Sequence, residues 1–176
     1  MSKDSSNEPT RLKIVGHRGA AGLAPENSLA AIKAALANNV DEIEFDIRVS
    51  KDGVPVLYHN SALSTGQVIR DQTCEALKAA DANLATLAEA LDAIDTKAKP
   101  LVEIKRGEPL PPIIAVLKQF IGGMYGTADI ALGSKDQHIL RGLRQAFPDV
   151  ELVVIEPWSG VRGHWRARQV GSTRCA

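Results

Sequence analysis

Cysteine is nearly missing: Cys74 and Cys175 are the only two among 176 residues. Two thiols cannot build a disulfide framework, and neither stands in a metal-ligand spacing, so a stapled scaffold and a thiolate metal cluster are both excluded. An excess of either charge is missing too. Lys plus Arg is 21 and Asp plus Glu is 21, so no global field draws the chain toward nucleic acid or an anionic membrane. No apolar run is long enough to span a bilayer, and the polar stretch Met1-Ser2-Lys3-Asp4-Ser5-Ser6-Asn7-Glu8-Pro9 lacks the apolar centre of a signal peptide. These absences predict a cytoplasmic protein with reduced thiols, no nucleic-acid partner, no membrane span and a loose tail over residues 1–10. With 44% hydrophobic residues, the remainder can bury the core of one domain. Nothing in the composition speaks to an oligomeric state.

What is present centres on the strand-like run Glu42-Ile43-Glu44-Phe45-Asp46-Ile47-Arg48. Side chains alternate along a strand, so Glu44 and Asp46 share one face and Ile43, Phe45 and Ile47 the other. Asp52-Gly53 reads as a two-residue hairpin turn into the returning strand Val54-Pro55-Val56-Leu57-Tyr58-His59. That register pairs Lys51 with Val54 and sets His59 opposite Asp46, about 5 Å away between Cβ atoms. Taken alone, a Glu-x-Asp pattern belongs more often to the solvated face of a half-buried strand. Its neighbours change the weighting.

A short strand, Leu12-Lys13-Ile14-Val15, runs into Gly16-His17-Arg18-Gly19, where flanking glycines let the chain bend and free two side chains for a ligand. Arg18 suits an anionic oxygen because its planar fork makes paired charge-assisted bonds. Beyond it, Leu29, Ile32, Leu36 and Val40 keep a helical period, with Asn27 or Ser28 as N-cap. Helices are predicted over 73–80, 86–94, 112–122 and 137–146, and strands over 100–105, 129–134 and 151–155. Repeated strand and helix with short connections predicts an α/β fold with a parallel sheet, whose ligands bind beyond the carboxyl ends of the strands. His17, Glu44, Asp46 and Glu103 all fall at such ends. The oxygen-rich set without thiolate favours Mg²⁺ or Ca²⁺ over structural zinc. A hard cation flanked by two imidazoles and a guanidinium suits phosphate ester chemistry.

His17-Arg18-Gly19, Pro25-Glu26-Asn27, Glu44-x-Asp46, Lys51-Asp52-Gly53-x-Pro55-Val56 leading to His59, Leu84-Ala85-Thr86-Leu87-Ala88-Glu89-Ala90-Leu91 and Glu103-x-Lys105 occur in order over residues 12–155. In this the chain resembles the glycerophosphodiester phosphodiesterases. The resemblance implies a TIM-type (β/α)8 barrel with Glu44, Asp46 and Glu103 as metal ligands and His17 and His59 as the acid and base pair. It also implies that Arg18 and Lys105 hold the phosphate and that Glu26 supports the His-Arg loop. The implied reaction is metal-dependent hydrolysis of a small glycerophosphodiester to an alcohol and glycerol 3-phosphate. A lysophospholipase D-like reaction and a non-catalytic barrel remnant are the alternatives.

The chain departs from the family pattern in three places. Asn60 stands where the family has Asp after the second His, and Ser134-Lys135 where it has Ser-Phe, which opens one wall of the pocket. Only five barrel strands are legible, with a β-hairpin inserted after the second, so the barrel is expected to be incomplete over residues 11–158. Residues 159–176 carry Arg162, Arg166, Arg168 and Arg174 with no acid. They read as a basic, disordered or non-native tail, left by a truncation or a reading-frame scar. Such an arc is expected to expose inner faces at Ile43 and Phe45, and to be unstable and weakly active for that reason.

Overall fold

The computed structural model describes residues 12–155, 171 and 174–175. The elements in chain order are β1 (Val15–Gly16), α1 (Leu29–Ala37), β2 (Glu42–Val49), β3 (Pro55–Leu57), α2 (Cys74–Ala80) and α3 (Leu87–Ile94). There follow β4 (Lys99–Ile104), α4 (Leu110–Phe120), β5 (Ala131–Ser134), α5 (Gln137–Ala146), β6 (Glu151–Val154) and β7 (Arg174–Cys175). One sheet runs β1-β2-β4-β5-β6-β7 with every neighbouring pair parallel, and β3 pairs antiparallel with β2 off that path. This arc of strands and following helices has the parallel sheet that the alternation predicts, in the incomplete α/β barrel form that the resemblance implies.

Local chemistry sets the starts of α1, α2, α3 and α5 where the sequence placed them, whereas α4 begins at Leu110, two residues before its predicted start. Ser28 caps α1 through its side chain to the Ala31 N–H, Thr73 caps α2, and Asp136 caps α5. Thr86 and Glu89 form a reciprocal capping box at α3, which satisfies two of the donors a helix start leaves open. Asn27 is not a cap; it is held in a left-handed conformation with φ 54 and serves the site described below.

Period-two alternation then sorts each strand between two environments. Ile43, Phe45, Ile47, Val102, Ile104, Leu132, Leu152 and Val154 pack on the helices in one buried cluster with Ile32, Leu91, Leu117 and Leu143. The other face points to the barrel axis and carries Glu42, Glu44, Asp46, Glu103 and Lys105, with a small apolar layer of Leu101, Ala131 and Val153. The expectation that Ile43 and Phe45 line an exposed inner face is therefore wrong: both are fully buried against helices. In a parallel barrel the helices cover the outer face, so it is the apolar set that they bury.

The hairpin register also differs from the sequence reading. Ile47 pairs with Leu57, Arg48 with Val56 and Val49 with Pro55, so the loop is Lys51-Asp52-Gly53 and not Asp52-Gly53 alone. Gly53 takes φ 78, the left-handed third position of a three-residue hairpin loop, and Ser50 closes it by bonding the Val54 carbonyl. Opposite Asp46 comes Tyr58, whose N–H bonds the Asp46 carbonyl at 3.0 Å. His59 thus does not pair with Asp46 through the ladder.

The tail expected over 159–176 falls outside the described residues except at Gly171, Arg174 and Cys175. Arg174–Cys175 pairs in parallel with Val153 and Val154 of β6, so this part adds a sixth strand to the parallel arc. The Arg174 fork makes two bonds, 2.6 and 2.7 Å, to the carboxylate of buried Glu42. The expected tail over 1–10 lies outside the described residues. Among the described residues no helix is long and apolar enough to cross a membrane.

Candidate active site

Parallel pairing of β2 with β4 puts Asp46 beside Glu103 and Glu44 beside Leu101, which aims three carboxylates at one point near the carboxyl ends of the strands. One oxygen from each of Glu44, Asp46 and Glu103 lies within 4.8 Å of the other two. All three are buried. Burial, and then the Asp46 charge, push the Glu44 carboxyl up to about 7. Burial also acts on Asp46, but hydrogen bonds from Lys105 and Asn27 outweigh it and hold its carboxyl below the usual range. Three acids gathered out of water, one of them resisting ionisation, fit a hard divalent cation that would supply the missing positive charge.

The His-Arg loop reaches this cluster by close approach to α1. Gly19 has φ 81, and a Cβ there would stand 2.7 Å from the Ala31 backbone, so only glycine fits. The turn lets Gly19 N–H bond the Glu44 carbonyl at 2.9 Å, while Arg18 N–H bonds the Glu44 carboxylate at 2.9 Å. The Arg18 guanidinium is held by Glu26, with Nη1 at 3.0 and 2.9 Å from its two oxygens, and its Nε stands 3.5 Å from Asp46. That buried Nε has no hydrogen-bond partner. His17 lies at the open side, Nε2 3.9 Å from Glu44, with 72% of its side chain exposed. Arg18 and Glu26 are thus brought together.

Lys105 is more deeply engaged than a phosphate-binding role alone would suggest. Its Nζ lies 2.5 Å from Asp46 Oδ1 and 2.7 Å from Glu103 Oε1. One ammonium is thus shared between two of the acids, which leaves the cluster net negative. His59 reaches the site through the bend that follows β3, where it lines a cleft of about 580 Å³ with Glu103 and Lys105. Its Nδ1 is 3.0 Å from Asn60 Oδ1, so the neighbouring amide holds the ring.

Sequence reasoning missed three contributors, Asn27, Arg48 and Glu108, and had set a fourth, Lys135, at a wall of the pocket. Asn27 donates to Asp46 Oδ2 and accepts from the Asp46 N–H, both at 2.9 Å, and its place in Pro25-Glu26-Asn27 was the available signal. Arg48 donates to the His59 carbonyl from Nε and Nη2 at 3.3 and 2.9 Å and to Glu108 at 3.0 Å. Glu108 also accepts the Val49 N–H. Nothing local in the sequence pairs residues 48 and 108. Lys135, at the end of β5, lines the same cleft and lies 3.9 Å from Glu103.

Residues 17–148 match the profile of the glycerophosphoryl diester phosphodiesterase family. A glycerophosphodiester phosphodiesterase of Caldanaerobacter subterraneus is 27% identical over 172 residues, covering 82% of this chain and 69% of the relative. The YhdW protein of Bacillus subtilis is 27% identical over 157 residues, covering 81% of this chain; the chain spans only 65% of that relative's length. A phosphodiesterase of Oleispira antarctica, solved with the product sn-glycerol-3-phosphate, shares the fold at TM-score 0.81 and 21% identity, over 93% of this chain and 74% of that one. The match begins at His17 and takes in Glu44, Asp46, His59, Glu103 and Lys105, so the convergent site and the family profile cover the same stretch of chain: the protein belongs to the glycerophosphoryl diester phosphodiesterase family.

Proposed function

We propose that this chain is a divalent-cation-dependent phosphodiesterase that hydrolyses small glycerophosphodiesters to an alcohol and glycerol 3-phosphate. The observation that carries the reading is the convergence of three buried acids from β2 and β4, with oxygens within 4.8 Å of one another, beside two imidazoles. The relatives named as glycerophosphodiester phosphodiesterases support it.

Glu44, Asp46 and Glu103 would hold Mg²⁺ or Ca²⁺, which when bound supplies Lewis-acid neutralisation of phosphate charge. Arg18, fixed by Glu26, presents a guanidinium toward the same point, and Lys105 adds an ammonium between the acids and the cleft. Both would hold a non-bridging phosphate oxygen and stabilise charge that grows as phosphorus is attacked. With Nδ1 directed to Asn60, His59 keeps Nε2 for proton transfer. His17 stands on the Glu44 side of the site. One imidazole takes a proton from the attacking oxygen and the other gives one to the departing alcohol.

Release of glycerol 3-phosphate from bis-glycerophosphate, with and without chelator, tests the reading. Cation-dependent release that falls by about 10²-fold or more in His17→Ala and in His59→Ala is expected. Cation binding without any release would leave a binding chain and overturn the proposed reaction.

A further inference from the structure

The cleft that holds His59 continues past Lys105 to two more cations, Arg106 after β4 and Lys135 after β5. Among the described residues neither is neutralised at hydrogen-bond range. Arg106 Nε stands 3.7 Å from Asp136, and Lys135 Nζ stands 3.9 Å from Glu103, both longer than a hydrogen bond. The two acids are committed elsewhere: Asp136 accepts the His138 N–H as the cap of α5, and Glu103 accepts Lys105 at 2.7 Å. Arg48 in the same cleft shows what a satisfied cation looks like, with Glu108 and the His59 carbonyl on its fork. The side chains of Arg106 and Lys135 are instead 81% and 45% exposed.

The described lining of this cleft contains no Trp, Tyr or Phe. A quaternary ammonium head is recognised on aromatic faces, and here it would meet cations. Resting on the phosphodiesterase reading above, we propose that Arg106 and Lys135 form an anion subsite that takes a carboxylate or phosphate carried by the alcohol portion of the diester. The preferred substrates are then glycerophosphodiesters of an acidic alcohol, not those of choline. Two charge-assisted bonds are available for that group.

The test compares kcat/KM for the glycerophosphodiesters of glycerate, glycerol phosphate, glycerol and choline under one cation concentration. Both anionic diesters are expected to exceed the glycerol diester by about tenfold and the choline diester to fall below it, with the spread shrinking in high salt. If only the glycerol phosphate diester gains, the subsite selects phosphate; if both gain, it reads charge. In Lys135→Met and Arg106→Gln the ratio of anionic to neutral diester should collapse toward one, whereas a structural defect would lower all four alike. Equal kcat/KM for all four diesters overturns the subsite and leaves the hydrolase reading in place. Should none be cleaved, the hydrolase reading fails, and calorimetric Kd values for the same intact diesters decide the subsite by the same ranking.

Discussion

Asn27 grips Asp46 from two sides, bonding its carboxylate and its backbone N–H, and it does so from a left-handed backbone. Asn27→Ala would leave a buried N–H and carboxylate oxygen short of partners, at a cost of about 2–3 kcal/mol in urea unfolding. Glu44 sets a pH dependence of its own. Its carboxyl, raised to about 7, binds its proton more tightly folded than unfolded. The cation-free protein is therefore most stable, as far as this group goes, below its unfolded pKa, and loses about 3 kcal/mol as pH rises through 7. The difference in unfolding free energy between wild type and Glu44→Gln, followed from pH 4.5 to 8 in chelator, isolates this group. Glu44→Gln should gain on the wild type through that window. The carboxylates themselves were legible as a pattern of alternation, but the Asn27 grip was not, because it joins residues 19 apart in the chain whose meeting depends on the loop fold.

At the scale of elements, strand and helix spans were mostly readable from periodicity, and α5 lies over 137–146 as predicted. The hairpin was not. Asp-Gly satisfies a two-residue loop, yet Gly53 with φ 78 also completes a three-residue one, which the Ser50 hydroxyl closes through Asp52, the Val54 N–H and the Val54 carbonyl. The consequence is that His59 depends on the bend after β3 and on the Arg48 fork that holds its carbonyl. Arg48→Ala should lower kcat by about 10- to 100-fold and stability by about 1–2 kcal/mol. Steady-state kinetics alongside urea unfolding separates the two, and an unchanged kcat in a folded variant would show that His59 needs no such clamp.

At the scale of the molecule, parallel architecture and the mouth of the site followed from strand and helix order, because acids at strand ends in a parallel sheet can only meet there. The last strand did not follow. An arginine-rich stretch without a period gives no strand signal, and Arg174 earns its place through Glu42, a partner 132 residues away. Arg174→Ala should destabilise by about 2 kcal/mol, and Glu42→Gln added to it should restore part of the loss, because the stranded charge is then gone.

The central claim is that Glu44, Asp46 and Glu103 act together on one divalent cation. Calorimetric titration of Mg²⁺ or Ca²⁺ into the chelator-treated protein tests it most directly. The account predicts one site, lost in Glu44→Gln, Asp46→Asn and Glu103→Gln, with release at pH 7 of about half a proton from Glu44, whose carboxyl sits at about 7. Binding that survives all three substitutions, or no binding at all, would contradict it.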